Sequence, residues 1–196
     1  MKQAAALSNA ASAGASLPID FEECYDAHAA LITRWVSRLG GVAMDVDDMV
    51  QEVFCVVHRK LPAWDGQGTL TTWLFRITHH VVRNWNRKQR FCRWLGLGDS
   101  SATADDMQSD SPGPVEQMES HQAARDVRRA LSELTEKHRT LIVLFELEEL
   151  STPEIAEMLD VKVGTVRVGL HRARSEFLQV YERLQMANVL HVGGNA

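Results

Sequence analysis

Apolar residues recur at helical spacing along much of the chain, and the breaks between these runs define predicted helices. The first run covers Phe21 to Leu39 and is followed by a pair of glycines. A second helix is predicted to begin near Asp45 and to stop at Pro62. A third extends from about Leu70 to Arg90. No stretch alternates with the period of a β-strand, so an all-α fold is predicted.

The helical pattern falls into two blocks, which predicts two small domains at residues 18–95 and 115–186. The segment between them, 96–114, is rich in Gly, Ser, Asp and Pro and is predicted to be a flexible acidic linker. Residues 1–17 are predicted to be a disordered tail rather than a signal peptide, because polar residues interrupt their apolar run. Residues 187–196 are predicted to be a frayed C-terminal tail.

Charge is distributed unevenly along the chain, although the net value is only −5. Arg76 to Arg93 contains six Lys or Arg and no acid, and Val161 to Arg174 contains four and no acid. Asp99 to Glu119 contains six acids and no base. Because local charge decides where an anion binds, two basic surfaces for an anionic partner are predicted.

Composition excludes several other classes of protein. No run of apolar residues is long enough for a transmembrane helix. The three cysteines, Cys24, Cys55 and Cys92, are an odd number without a CxxC pair, which excludes a disulfide scaffold and a cysteine zinc site. This usage favours a reducing cytoplasm.

Residues 151–174 have the pattern of a helix-turn-helix. Ser151 and Glu154 form a predicted capping box, and the small Ala156 permits two helices to cross closely. The predicted second helix buries Val166, Leu170, Ala173 and Phe177. Its exposed side, with the residue just before it, carries Lys162, Thr165, Arg167, His171, Arg172 and Arg174. Such a helix fits the major groove of DNA, and the alternative is an ordinary solvated basic face.

The predicted third helix carries a basic stripe, whose members recur at spacings of four, three and four: Arg76, His80, Arg83 and Arg87. A stripe of this kind can neutralise several phosphates. Asn84 and Lys88 lie beside it. Two aromatic residues, Trp73 and Phe75, precede the stripe. They either stack on unpaired bases or belong to the hydrophobic core.

Two further groups on these helices allow a functional or a structural interpretation. Asp48, Gln51 and Glu52 share one face of the second helix, which is either a solvated surface or a partner-binding surface. The neighbouring His79 and His80 point about 100° apart on a helix, so they form a poor metal chelate, and no metal site is predicted.

Both blocks resemble the sigma-70 family of bacterial RNA polymerase specificity subunits, of the extracytoplasmic-function (ECF) type. Residues 131–174, with the string VGTVR and the later RAR, resemble region 4. Asp45 to Arg90 resembles region 2 over nearly its whole length. The two matches occur in the order typical of the family and together cover most of residues 20–183.

This resemblance implies a non-catalytic protein without a cofactor. It implies binding to core RNA polymerase and to promoter DNA, and a role in melting the promoter and initiating transcription. It implies core-polymerase contacts at Asp48, Gln51 and Glu52. It implies contacts to the duplex and melted −10 element at Arg76, His80, Arg83, Asn84, Arg87 and Lys88. It implies −35 contacts at Lys162, Thr165, Arg167, His171, Arg172 and Arg174. It also implies a cytoplasmic location and an anti-sigma partner, often membrane-bound, that can hold this chain at the membrane without membrane insertion of the chain itself.

Three positions depart from the family pattern. Val168 and Gly169 stand where the family commonly has Ser and a basic residue, and His80 stands where several relatives have Asn. The base preferences of relatives are therefore not transferred to this chain. Two other functions explain less of the chain. A dimeric helix-turn-helix regulator leaves the match at 45–90 unexplained, and a histidine-based nuclease lacks a carboxylate cluster.

Overall fold

The computed structural model describes residues 19–41, 43–95 and 115–193, and the regular structure in these ranges is helical, which confirms the all-α class. Its helices are α1 (Phe21–Gly40), α2 (Val46–Lys60), α3 (Leu70–Trp94), α4 (Val115–Glu133), α5 (Glu136–Ile142), α6 (Thr152–Leu159) and α7 (Val163–Gly193). A 3-10 turn, Leu61–Ala63, follows α2, and a π-helical turn, Val143–Leu147, follows α5. The tail 1–17 and the linker 96–114 predicted from the sequence lie outside the described residues.

Local side-chain chemistry sets the ends of several helices. The Asp45 carboxylate accepts hydrogen bonds from the backbone N–H groups of Asp47 and Asp48, at 3.0 and 3.1 Å, and so caps α2. Ser151 and Glu154 form the predicted capping box at the start of α6. Asp160 ends α6 in the left-handed conformation, with φ of 54°. These caps place the turn between α6 and α7 as the sequence predicted.

Two helices run further than the sequence pattern indicated. Helix α3 continues past Arg90 to Trp94, and α7 continues past Ala187 to Gly193. The segment predicted as a C-terminal tail therefore begins as helix. No Pro or Gly occurs between Ala187 and Gly193, so nothing in that stretch breaks the helix.

The N-terminal unit (α1–α3) and the C-terminal unit (α4–α7) are packed against each other. Trp35 and Phe75 of the N-terminal unit belong to the same buried cluster as Leu141, Leu144 and Ile155 of the C-terminal unit. A second cluster, between α4, α5 and α7, contains Ala130, Leu131, Leu134, Ile142, Ala173, Val180 and Leu184. The sequence predicted two units on a tether, and the structure adds a shared core.

Polar contacts reinforce this packing. Glu148, whose side chain is 3% exposed, accepts hydrogen bonds from Arg34 and Arg38 of α1, at 2.8 and 2.5 Å. The buried Arg139 of α5 donates to the Leu39 carbonyl at 2.8 Å. Because buried charges are stable only when they are paired, these contacts fix the relative position of the two units.

Candidate nucleic-acid and polymerase interfaces

The second helix of the helix-turn-helix, at the start of α7, separates its buried and exposed faces as predicted. Val166, Leu170 and Ala173 are buried, and Phe177 is half-buried. The six side chains predicted to contact the −35 element are all exposed: Lys162, Thr165, Arg167, His171, Arg172 and Arg174. The chain between α6 and α7 is tight, with the Val161 N–H donating to the Ala156 carbonyl at 2.9 Å. The N-terminal turns of α7 are thus free to enter a major groove.

Arg174 differs from the other five because it is already engaged. Its guanidinium lies 2.7 Å from a Glu146 carboxylate oxygen and 4.9 Å from the centre of the Phe145 ring. Contact with a phosphate therefore requires Arg174 to leave these partners.

Gly169, one of the departures from the family pattern, is a packing residue. It is buried, and a Cβ added at this position would lie 2.5 Å from the Leu141 Cδ1 atom. Glycine therefore permits α7 to approach α5 closely. Val168 is 54% exposed on the outer surface. A side chain at 169 would require Leu141 to shift, whereas the structure offers no packing reason for Val168.

The N-terminal half of the basic stripe on α3 faces the C-terminal unit. The Arg76 guanidinium donates to the carbonyls of Glu157 and Met158, at 2.8 and 3.1 Å. These carbonyls lie at the C-terminal end of α6, where a cation is favourable. The carboxylate of Glu136 lies 3.3 Å from Arg83 and 3.4 Å from Arg90. Arg76, Arg83 and Arg90 thus each contact an oxygen atom of the C-terminal unit.

The remaining members of the α3 surface are open. Arg87 and Lys88 are exposed, and neither forms an ion pair with the described residues. His80 is exposed, and its Nε2 atom accepts a hydrogen bond from Asn84 Nδ2 at 2.9 Å in one tautomer. This contact joins the two side chains at i and i+4 into a single polar group on the helix surface.

Aromatic residues before the stripe serve the core. Phe75 is fully buried, with its ring edge-on to Trp35 at 5.1 Å, so it is excluded as a base-stacking residue. Trp73 is half-buried against the same core and lies 6.1 Å from Trp64 of the preceding loop. Of the two alternatives left open by the sequence, packing is correct for Phe75.

His79 also has an internal role. Its ring stacks on Phe75 at 5.7 Å, and its Nε2 atom lies 3.2 Å from the Thr140 hydroxyl of α5. Burial lowers the pKa of His79, nearby Glu136 raises it less, and Arg83 and His80 lower it. Within the described residues, no group of three His, Cys, Asp or Glu side chains is arranged to hold a metal.

The predicted polymerase face of α2 is an open surface. Asp48, Gln51, Glu52 and Cys55 are exposed on one side of the helix, opposite the buried Met49 and Val53. None of these four side chains forms an ion pair with the described parts of the chain. The face can therefore accept a basic partner surface without rearrangement.

Several residues that position these surfaces were not found from the sequence. Glu136, Glu148 and Arg139 connect the two units, but their partners are far away along the chain. An ion pair between distant segments leaves no periodic signal, so only the tertiary structure identifies these contacts. Among the described helices, none is both long enough and apolar enough to cross a membrane.

Two known family models match the parts of the chain that contain these surfaces. The family model for sigma-70 region 2 matches residues 24–92, and the model for sigma-70 region 4 matches residues 124–177. The basic stripe and the exposed face of α2 lie within the first match, and the helix-turn-helix lies within the second.

Individual proteins that are similar to this chain are named ECF RNA polymerase sigma factors. The ECF RNA polymerase sigma-E factor of Haemophilus influenzae is 34% identical over 154 residues, covering 74% of this chain and 77% of that protein. The ECF RNA polymerase sigma factor SigE of Mycolicibacterium smegmatis is 32% identical over 83% of this chain, and the match spans 61% of its length.

Solved structures are similar as well. CnrH, solved in complex with the cytosolic domain of CnrY, is 26% identical with a TM-score of 0.57, covering 83% of this chain and 88% of CnrH. The sigma factor RpoE of Bartonella quintana, solved with the anti-sigma factor NepR, shares the fold with a TM-score of 0.53 at 16% identity, covering 82% of this chain and 98% of that one. With both family models matched in order on one chain, this protein belongs to the ECF family of RNA polymerase sigma factors.

Proposed function

We propose that this sigma factor binds core RNA polymerase through α2 and promoter DNA through α3 and the start of α7. The observation that supports this most directly is the presence, on one chain, of an open acidic and amide face and two basic surfaces. A dimeric regulator needs only one of the DNA surfaces and has no use for the face on α2.

On α2, the polymerase contacts are Asp48, Gln51 and Glu52. Their exposure and their lack of partners among the described residues support this role. Acidic and amide groups orient a basic partner surface and speed its association more than they add affinity.

On α3, the −10 contacts are Arg76, His80, Arg83, Asn84, Arg87 and Lys88. The cations position the phosphate backbone, and the polar group formed by His80 and Asn84 contacts bases. Each ring nitrogen of a neutral His80 either donates or accepts a hydrogen bond, whereas the Asn of several relatives presents a donor and an acceptor side by side, so His80 is expected to select a different base edge.

On α7, the −35 contacts are Lys162, Thr165, Arg167, His171, Arg172 and Arg174. The first turns of the helix contact base edges, and the later arginines contact phosphates. Arg174 exchanges Glu146 for a phosphate when DNA binds.

DNA binding along the whole stripe requires the two units to separate. Arg76, Arg83 and Arg90 hold groups of α5 and α6, so their guanidinium groups must exchange these partners for phosphates. The packed arrangement is therefore a closed form of the protein, and the promoter-bound form is open.

The protein carries out no covalent chemistry and acts in the cytoplasm, where the polymerase and the promoter are. An anti-sigma factor controls it. The solved relative CnrH, which is bound to the cytosolic domain of another protein, supports a protein partner of this kind.

Run-off transcription tests the proposed function. Purified chain, core polymerase and genomic fragments are mixed, and the 5′ ends of the transcripts are sequenced. Discrete start sites that require the chain and share paired upstream elements are expected. Glu52→Lys is expected to lower core affinity. Glu182→Lys makes the same charge change at an exposed position of α7 outside the proposed contacts, and is the matched control. Absence of both transcripts and polymerase binding contradicts the proposal and favours the dimeric regulator.

A further inference from the structure

The C-terminal unit contains an apolar groove that opens to solvent between α4, the end of α5 and α7. Its volume is about 330 Å³, within the range of cavities that hold small ligands. Six apolar side chains line it: Val127, Leu131, Ile142, Leu147, Phe177 and Leu178. None of them belongs to the proposed polymerase or DNA contacts, so those roles do not explain the groove.

The floor of the groove belongs to the hydrophobic core, whereas its mouth is exposed. Leu131 and Ile142 are buried, and the Phe177 ring stacks on Tyr181 with the ring centroids 5.9 Å apart. Leu178, by contrast, is 56% exposed. An exposed apolar side chain next to a buried apolar floor offers surface that a further apolar group can cover. Packed side chains therefore form the groove before any ligand enters it.

Two charged side chains also line the groove, and they show how it can bind a carboxylate. The Arg174 guanidinium lies 2.7 Å from a Glu146 carboxylate oxygen. The two side chains are 50% and 42% exposed, so their ion pair adds little stability and Glu146 can turn into water. The carboxylate of a ligand can then take the position of the Glu146 carboxylate on Arg174.

We propose that this groove binds a medium-chain carboxylic acid, with its alkyl tail among the six apolar side chains and its carboxylate on Arg174. The tail displaces water from Leu178 and Phe177, and burial of each methylene is favourable. A neutral apolar molecule leaves the cation unused, and a compact anion such as phosphate leaves the apolar lining in water. An amphipathic acid is the ligand class that uses both parts of the groove.

A bound acid is expected to weaken DNA binding. Arg174 is also a proposed −35 contact, so the ligand carboxylate and a DNA phosphate compete for the same guanidinium. This consequence rests on the proposed function, whereas binding of the acid does not.

Titration calorimetry of the full chain with decanoate, at concentrations at which the acid is monomeric, tests the site. Decanoate is expected to bind about 10-fold more tightly than octanoate, because it buries two more methylenes. Arg174→Gln is expected to weaken decanoate binding about 10-fold through the loss of a charge-assisted hydrogen bond. Decanol has the same tail without the carboxylate, so its binding is expected to be unchanged in this variant.

Two matched variants control the titrations. Arg183→Gln removes another α7 arginine that pairs with a glutamate, Glu133, outside the groove, and is expected to leave decanoate binding unchanged. Leu178→Gln is expected to weaken binding of both decanoate and decanol. Met186→Gln makes the same kind of change at a position that is 67% exposed on the same helix and does not line the groove, and is expected to affect neither.

Three outcomes overturn the inference. Absence of saturable decanoate binding excludes the ligand. Equal losses in Arg174→Gln and Arg183→Gln indicate general attraction of an anion. Unchanged decanoate binding in Leu178→Gln, together with weaker binding of core polymerase, identifies the groove as a protein contact.

A second measurement tests the competition with DNA. Decanoate is expected to weaken binding of a duplex with the −35 element to the polymerase-bound wild-type chain and to have no effect on the Arg174→Gln chain. Bound decanoate that leaves DNA affinity unchanged contradicts the competition. If the chain binds neither polymerase nor promoter DNA, the proposed function fails, and the titrations of the free chain still decide the ligand site.

Discussion

At the scale of single residues, side-chain hydrogen bonds at the helix caps fix where helices begin. Glu154 accepts hydrogen bonds from the Ser151 hydroxyl and the Ser151 backbone N–H, at 2.6 and 2.7 Å. These two bonds lower the pKa of Glu154. The capping box thus fixes the start of α6, and through it the angle at which α7 is presented to DNA.

Replacing the cap is expected to destabilise the C-terminal unit. Ser151→Ala removes the hydroxyl, and such substitutions lower the free energy of unfolding by about 0.5–2 kcal/mol. Thermal or urea unfolding measures the change. Ser132→Ala, at a half-buried serine whose hydroxyl donates to the Arg129 carbonyl, is the control. An equal effect of both variants contradicts a specific capping role.

The same cap gives a pH dependence. Because the folded pKa of Glu154 lies below its unfolded value of 4.5, the contribution of its carboxylate is present above pH 4.5. It is lost as the pH falls through the folded pKa. The stability difference between wild type and Ser151→Ala is therefore expected to shrink on acidification below that value. A difference that stays constant down to the acid transition argues against this linkage.

At the scale of elements, α3 combines a core face, a contact with the C-terminal unit and a basic surface. Leu74, Phe75 and Ile77 are buried on its inner side. Arg76 and His79 contact the C-terminal unit, whereas Arg87 remains open to solvent. On the proposed DNA surface of α3, Arg76, Arg83 and Arg90 therefore have partners in the C-terminal unit, whereas Arg87 is accessible.

Arg87 is expected to contribute a phosphate contact. Arg87→Ala is expected to weaken promoter binding similarly across DNA sequences and to reduce the slope of log affinity against log salt by about one. Titrations of the polymerase-bound chain at several salt concentrations measure the slope. Arg128→Ala, at an exposed cation on α4, is the control and is expected to leave it unchanged.

The contact between α3 and α5 is expected to weaken in acid. Burial lowers the pKa of His79 below 6.5, so its neutral form stabilises the packed state above that pH and the contribution is lost as the pH falls. The distance between fluorophores on α2 and α7 is expected to increase on acidification below about pH 6.5. His79→Gln keeps a hydrogen-bond donor without titrating, and a transition that persists in this variant contradicts the assignment.

At the scale of the whole molecule, the packing of the two units decides which surfaces are available. The proposed polymerase face on α2 and the proposed DNA face at the start of α7 are open, whereas part of the α3 surface contacts α5 and α6. Glu136 is central to this closure because it pairs with both Arg83 and Arg90. The proposed order is therefore that the closed form binds polymerase first and contacts the −10 element after the two units separate.

Removing the Glu136 charge is expected to favour the open form. Exposed ion pairs contribute about 0.2–1 kcal/mol each, so Glu136→Gln is expected to raise affinity for DNA with an unpaired −10 strand by up to about 5-fold per pair. Fluorescence anisotropy measures the affinity. Glu133→Gln breaks the Glu133–Arg183 pair, which lies within the C-terminal unit, and is the control. An equal rise in both variants contradicts an effect on closure.

The sequence by itself determined the first three helices, the helix-turn-helix with its capping box, and the family. Periodicity fixed which faces of α2, α3 and α7 are buried, because local spacing alone decides which side chains share a helix face. The capping box at Ser151 and the buried set at Val166, Leu170 and Ala173 were predicted and are confirmed. The assignment of site residues remains a prediction, which the variants above test.

Only the tertiary structure decided how the two units meet. Ion pairs such as Glu148 with Arg34 and Arg38 join residues more than 100 positions apart, and no local pattern encodes such a pairing. The burial of Phe75 and the packing role of Gly169 likewise depend on Trp35 and Leu141, which reach them from other helices. Periodicity reports on one helix at a time, whereas closure of the DNA surface depends on long-range packing.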